Sequence, residues 1–128
     1  MLHHLTLWVP DLARAEASWS WLLGELGYRR DRSISTVAVF RHTSGFAVAL
    51  EASPDMVPGM LYSRLRPGLN HVAFQVPTPA QLDEIARQSR GHGWSVLHND
   101  RHPIAGGARV IYLEDRDGFE VELVAREG

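Results

Sequence analysis

The chain reads as two near copies of one unit joined head to tail, and this repeat constrains its fold more than any other feature. HLTLWVPD, starting at His4, aligns with HVAFQVPT, starting at His71, at an offset of 67. Both segments read histidine, apolar, small, apolar, any residue, Val-Pro, then a residue able to cap a helix. After the first, Asp11 is the cap and Leu12, Ala15, Trp19, Leu22, Leu23 and Leu26 form a stripe at helical spacing. After the second, Thr78 caps, Pro79 suits the first helical position, and Leu82, Ile85 and Ala86 form the stripe. Each helix stops near a glycine, at Gly27-Tyr28 and at Gly93-Trp94, an offset of 66. TSGFAVAL from Thr43 then matches DRDGFEVEL from Asp115 when Gly45 is set on Gly118, an offset of 73. The difference falls in HNDRHPIAGGA (98–108), a loop insertion in the second copy that reads either as a lid over an opening or as a solvent loop.

Each copy is therefore predicted to run strand, helix, then about three strands joined by tight turns. The modules are 1–51 and 68–128, and the segment 52–67, rich in Pro, Met and Ser, connects them within one domain. The fold class is α+β, two βαβββ modules. A sheet this small cannot bury both faces alone. Its helix covers one face; two mixed sheets curving around a shared cavity would occupy the other. Alternation assigns the faces. Leu5, Leu7 and Val9 point to the first helix, and His4, Thr6 and Trp8 away from it. Phe46, Val48 and Leu50 point to the helix, and Ala47, Ala49 and Glu51 away. Phe119, Val121 and Leu123 point to the second helix, and Glu120, Glu122 and Val124 away. Val72, Phe74 and Val76 share one face of their strand, and His71, Ala73 and Gln75 the other. The faces without helices thus collect His4, His71 and Glu122.

Composition narrows the partners. Thirteen basic and 15 acidic residues give a net charge of −2, with no basic stripe for nucleic acid and no polybasic run for a membrane surface. No cysteine is present, which excludes disulfides and thiolate metal sites. The N-terminal stretch lacks the basic and apolar regions of a secretory signal, and no apolar run approaches the roughly 20 residues of a membrane span. A cytoplasmic protein is the expectation.

LNHVAFQV and YLEDRDGFEVELV, set in the double βαβββ repeat, resemble the vicinal oxygen chelate superfamily of glyoxalases, bleomycin-resistance proteins, fosfomycin-resistance enzymes and extradiol dioxygenases. The resemblance covers nearly the whole chain. YLEDRDGFEVELV is close to the D-P-D-G-x-x-h-E closing motif, with Arg116 for the usual Pro and Phe119 where Asn or Tyr is common. In that superfamily the metal is held by the first-strand histidine and last-strand carboxylate of each module. Carried over, this implies His4, His71 and Glu122 as metal ligands. The fourth position, four residues after Gly45, is Ala49; Glu51 lies two residues on, faces the same way, and would reach the site only through a bulge. His3, beside His4, aligns with Asn70 and is expected on the helix side.

Two imidazoles and one carboxylate leave coordination positions open, as a catalytic metal requires. Fe(II), Mn(II), Zn(II), Ni(II) or Co(II) would suit the set. Such an ion would bind two neighbouring oxygens of a small substrate and stabilise an enediolate, alkoxide or catecholate. The absent fourth carboxylate argues against glyoxalase I, and the two-module length against an extradiol dioxygenase. The competing reading is a metal-free protein sequestering a drug or aromatic ligand, with His4 and His71 hydrogen-bonded and Glu122 paired with Arg41 or Arg109. An inward carboxylate needs some partner. In either case Trp8, Val39, Ala49, His102, Arg109 and Tyr112 are candidates for contact with the small molecule, and Glu51 and Tyr112 for a catalytic role. A homodimer is expected, since superfamily members commonly pair modules across subunits.

Overall fold

The computed structural model describes residues 1–97 and 108–126. The described chain falls into two compact units, Met1–Leu61 and Tyr62–Gly128. The segment read as a connector is divided between them.

The first unit runs β1 (His4–Trp8), α1 (Leu12–Glu25), β2 (Tyr28–Ile34), β3 (Val37–His42) and β4 (Ala47–Glu51). Its four-stranded sheet has the order β1-β4-β3-β2. β1 runs parallel to β4, and the other neighbours are antiparallel. The second unit repeats the plan with β5 (Val72–Val76), α2 (Pro79–Ser89), β6 (Ser95–Leu97), β7 (Arg109–Glu114) and β8 (Glu120–Ala125), in the order β5-β8-β7-β6. The expected pair of βαβββ modules with mixed sheets is what the chain forms, and the fold is α+β.

The local causes also repeat. The Asp11 carboxylate accepts the Arg14 N–H at 3.0 Å, and the Thr78 hydroxyl accepts the Gln81 N–H at 3.1 Å, satisfying otherwise orphaned donors at each helix start. α1 buries Ala15, Ser18, Trp19, Leu22 and Leu23; Ser18 joins the predicted stripe, while its two ends, Leu12 and Leu26, are half-buried. α2 buries Leu82, Ile85 and Ser89. Each fully buried large apolar side chain contributes about 1.5–3 kcal/mol. The turns before the last strands are copies in hydrogen bonding. His42 N–H donates to the Phe46 carbonyl at 2.9 Å and Gly45 N–H to the His42 carbonyl at 2.9 Å. In the second unit Asp115 N–H donates to the Phe119 carbonyl at 3.0 Å and Gly118 N–H to the Asp115 carbonyl at 3.3 Å. Gly45 and Gly118 sit at φ of 96° and 87°, a conformation that penalises a Cβ. Even the side-chain support matches: His42 Nδ1 accepts the Ser44 N–H at 3.0 Å where Asp115 accepts the Asp117 N–H at 2.9 Å.

Among the described residues no helix is long and apolar enough to cross a membrane.

Candidate functional site

His71 stands immediately before β5, and Glu122 in the middle of β8. Register fixes their shared face. Ala73 lies opposite Glu122 in the parallel pair β5–β8, and Tyr112 lies opposite Glu122 in the antiparallel pair β7–β8. Opposed residues in a sheet point the same way. His71, Ala73, Glu122 and Tyr112 therefore occupy the face away from α2, as does Glu120, which is paired with Glu114.

On that face His71 Nε2 lies 3.2 Å from Glu122 Oε1. Glu122 is buried, at 5% exposure, and the His71 side chain keeps only 20%. The other ring nitrogen, Nδ1, is 2.8 Å from Asn70 Oδ1 and 3.8 Å from Glu120 Oε2. Glu120 has no exposed side-chain surface. Its counter-charge is Arg64, whose Nε lies 3.6 Å from Glu120 Oε1 and whose Nη1 donates to Glu114 Oε2. Arg64 thus separates two carboxylates that the β7–β8 register sets directly opposite one another, a juxtaposition that costs stability when unrelieved. Tyr62, two residues earlier, donates its hydroxyl to the Leu69 carbonyl and stacks on Phe119 with ring centroids 4.0 Å apart. Burial pushes the Tyr62 phenol above its usual range, the nearby Arg64 charge pulls it down, and Asp115 pushes it up again.

In the first unit His4 opens β1 on an exposed edge, with its Nδ1 2.8 Å from His3 Nδ1. His3 precedes the strand, so alternation does not govern it. Its ring meets the His4 ring edge-on at 5.1 Å. Thr6, Ala49 and Val39 stand in one cross-strand row, with Ala49 buried. Glu51 stays in regular register with Trp8, and β4 carries no bulge against either neighbour. The Glu51 carboxylate accepts the Trp8 indole N–H at 2.9 Å, with Trp8 half exposed.

The arginine partners considered for Glu122 are engaged elsewhere. Arg41 bonds Asp31 at 2.9 Å. Arg109, expected near the small-molecule face, is instead on the side covered by α2, where it pairs with Asp83 at 2.7 Å. The reason is parity: Arg109 shares its face of β7 with Ile111 and Leu113, opposite in sign to Tyr112. His102 and the 98–107 stretch of the insertion lie outside the described residues. The residues that sequence reasoning missed are Asn70, Arg64, Glu120 and His3. A glutamate two positions before Glu122 on the same face was the available signal, since a buried carboxylate demands a partner. Arg64, 50 residues before its partner Glu114, had no spacing to betray it.

Among the described residues no group of three or more histidine, aspartate or glutamate side chains is gathered closely enough to hold a metal ion. The pair His71–Glu122 nonetheless fits part of a donor set. Two donors each about 2.1 Å from a common ion, at tetrahedral or octahedral angles, lie about 3.0–3.4 Å apart. The observed 3.2 Å falls within that interval.

Two sheets of this topology, each a βαβββ module opening on a histidine, define the glyoxalase-like class of folds. The chain matches the family model of the glyoxalase/bleomycin resistance protein/dioxygenase superfamily over residues 3–112 and belongs to that superfamily. It is 37% identical over 127 residues to YqjT, an uncharacterised protein of Bacillus subtilis (strain 168), covering 97% of this chain and 98% of that one. It is 34% identical to the crystal structure of a candidate glyoxalase from Bacillus halodurans, with a TM-score of 0.87 over 98% of this chain and 96% of that one. The fold is also that of the fosfomycin resistance protein FosX from Listeria monocytogenes, crystallised with Mn(II) and sulfate. That match is 24% identical, with a TM-score of 0.69 over 99% of this chain and 90% of that one.

Proposed function

We propose that this protein is a metal-dependent enzyme acting on a small molecule with two neighbouring oxygens, with His4, His71 and Glu122 as the ligands. The observation that carries the reading is the His71–Glu122 pair. The Asn70 amide is oriented by donating from Nδ2 to the Arg64 carbonyl at 3.1 Å, which turns Oδ1 towards His71 Nδ1. Nδ1 facing an oxygen acceptor at 2.8 Å carries the ring hydrogen, and in the neutral ring Nε2 then points a lone pair at a buried carboxylate oxygen 3.2 Å away. Two acceptors at that distance repel unless a cation lies between them. A proton on Nε2 or a metal ion would each relieve the conflict. The superfamily, and the Mn(II) carried by FosX, favour the metal.

A divalent ion such as Mn(II), Fe(II), Zn(II), Ni(II) or Co(II) bound there would supply Lewis-acid stabilisation of negative charge developing on a substrate oxygen. The chain's own residues do the rest. Glu122 contributes a fixed negative charge from a strand interior, where rearrangement is costly. Tyr112, directly across the strand pair from Glu122, offers a phenol to the substrate. Trp8, Val39 and Ala49 provide apolar contact. Lyase, isomerase and dioxygenase chemistries all begin from this charge stabilisation. We further propose that the protein works as a cytoplasmic homodimer.

Titration calorimetry of the metal-free protein with each of the five ions tests the reading. One ion per chain is expected, with His71→Ala and Glu122→Gln each weakening it at least tenfold, about 1.4 kcal/mol. No binding of any ion, with aromatic ligands still taken up, would establish the second reading: a metal-free binder in which a protonated His71 pairs with Glu122.

A further inference from the structure

We propose that Asn70 is a positioning residue that sets the tautomer and the aim of the His71 ring. The proposal rests on the metal-site reading above. Its basis is a repeat one layer outside the ligands. Asn70 and His3 occupy the same place in the two modules, at the same offset of 67 that relates His71 to His4. Each places a polar atom 2.8 Å from the following histidine's Nδ1. The two side chains differ: the amide oxygen of Asn70 can only accept there, whereas the His3 ring nitrogen can accept or donate. An acceptor on Nδ1 holds the hydrogen at that nitrogen and leaves the Nε2 lone pair for a ligand, the arrangement that outer partners of metal-binding histidines impose.

Asn70 is itself held. Its Nδ2 donates to the Arg64 carbonyl at 3.1 Å. Arg64 is fastened through its guanidinium to Glu114 and Glu120, and the segment is tied again by the Tyr62 hydroxyl on the Leu69 carbonyl. The connector's last residues thus form a strap whose function is to orient one amide. Without the Asn70 acceptor, Nδ1 loses its 2.8 Å partner while Nε2 keeps Glu122 Oε1 at 3.2 Å. The hydrogen would move to Nε2, and an N–H would face the position that needs a lone pair.

Nitrogen-15 NMR of the ring of His71, in metal-free protein at a pH where that ring is neutral, reads the tautomer directly. The wild type is expected as Nδ1–H. Asn70→Ala is expected to shift the ring to Nε2–H and to weaken metal binding by about 10–100-fold, the usual effect of losing such a partner. Asn70→Asp, which keeps an acceptor but loses the donor to the Arg64 carbonyl, is expected to recover the Nδ1–H form only in part. An Nε2–H ring in the wild type, or the same tautomer in wild type and Asn70→Ala, would overturn the proposal, as would unchanged metal affinity in Asn70→Ala. A wild type that binds none of the five ions would overturn the metal-site reading instead, and the tautomer comparison alone would then decide the role of Asn70.

Discussion

Arg64 shows how much one side chain outside any helix or strand can control. It faces the fully buried carboxylate of Glu120 and bonds Glu114, relieving a pair of like charges that the strand register brings together. Removing one member of a buried charged pair costs about 3–5 kcal/mol, because the survivor stays desolvated. Arg64→Ala should therefore lower the urea midpoint by an amount equivalent to about 3 kcal/mol, and Arg64→Ala combined with Glu120→Gln should recover part of the loss. Equal midpoints for wild type and Arg64→Ala would remove Arg64 from this role. Tyr62 supplies a pH signature at the same scale. Its phenol is raised above the ordinary value, first by burial, so the folded state holds the proton longer than the unfolded chain. That contribution is complete below about pH 10 and is lost as pH climbs through the folded value. All 13 basic residues are arginine, so no lysine titrates in this window. Tyr28 is raised by burial as well. Denaturant midpoints measured across that window should decline in the wild type and decline less in Tyr62→Phe.

At the scale of elements, the legible features were those with short-range causes. Both caps, the centres of both helical stripes and the two glycine turns depend on residues a few positions apart, and these stand where the repeat placed them. Thr78→Ala should cost about 0.5–2 kcal/mol by leaving the Gln81 N–H without its cap, measured as a fall in thermal midpoint. Pro79 in the first turn should keep α2 itself in place, so far-UV circular dichroism before melting should be unchanged. Parity carried the reading along β8 and on to Tyr112, which shares the face of Glu122. It failed at Arg109. Arg109 lies inside β7, but its placement required the number of residues from Tyr112 to be counted in register, and the 98–108 insertion hid where that strand begins.

At the scale of the molecule, the two units repeat topology, caps and turns while differing in chemistry. The first presents Ala49 where the second presents Glu122, and keeps its own carboxylate, Glu51, on the Trp8 indole. The second carries the buried acidic face and the strap that holds it. The surface of the connector bears on the proposed homodimer. Val57, Met60, Leu61 and Leu65 are between 63% and 85% exposed, more apolar side chain than a short segment usually leaves in water. Light scattering at micromolar concentration should give twice the 14.3 kDa chain mass, and Leu65→Glu with Met60→Glu should shift it towards one chain. A wild type at one chain mass would end that proposal.

The sequence by itself determined the repeat, the order of elements, the face on which His71 and Glu122 stand, and the superfamily. These follow from hydrophobic period, capping chemistry and glycine turns, which act over a handful of residues and leave their spacing in print. Only the tertiary structure decided which groups meet across long separations: Arg64 with Glu114 and Glu120, Tyr62 with Phe119, and the Asn70 amide turned by the Arg64 carbonyl towards His71. Hydrogen bonds and ion pairs of that kind are chosen by where the folded backbone places two polar atoms, and no local pattern records the choice.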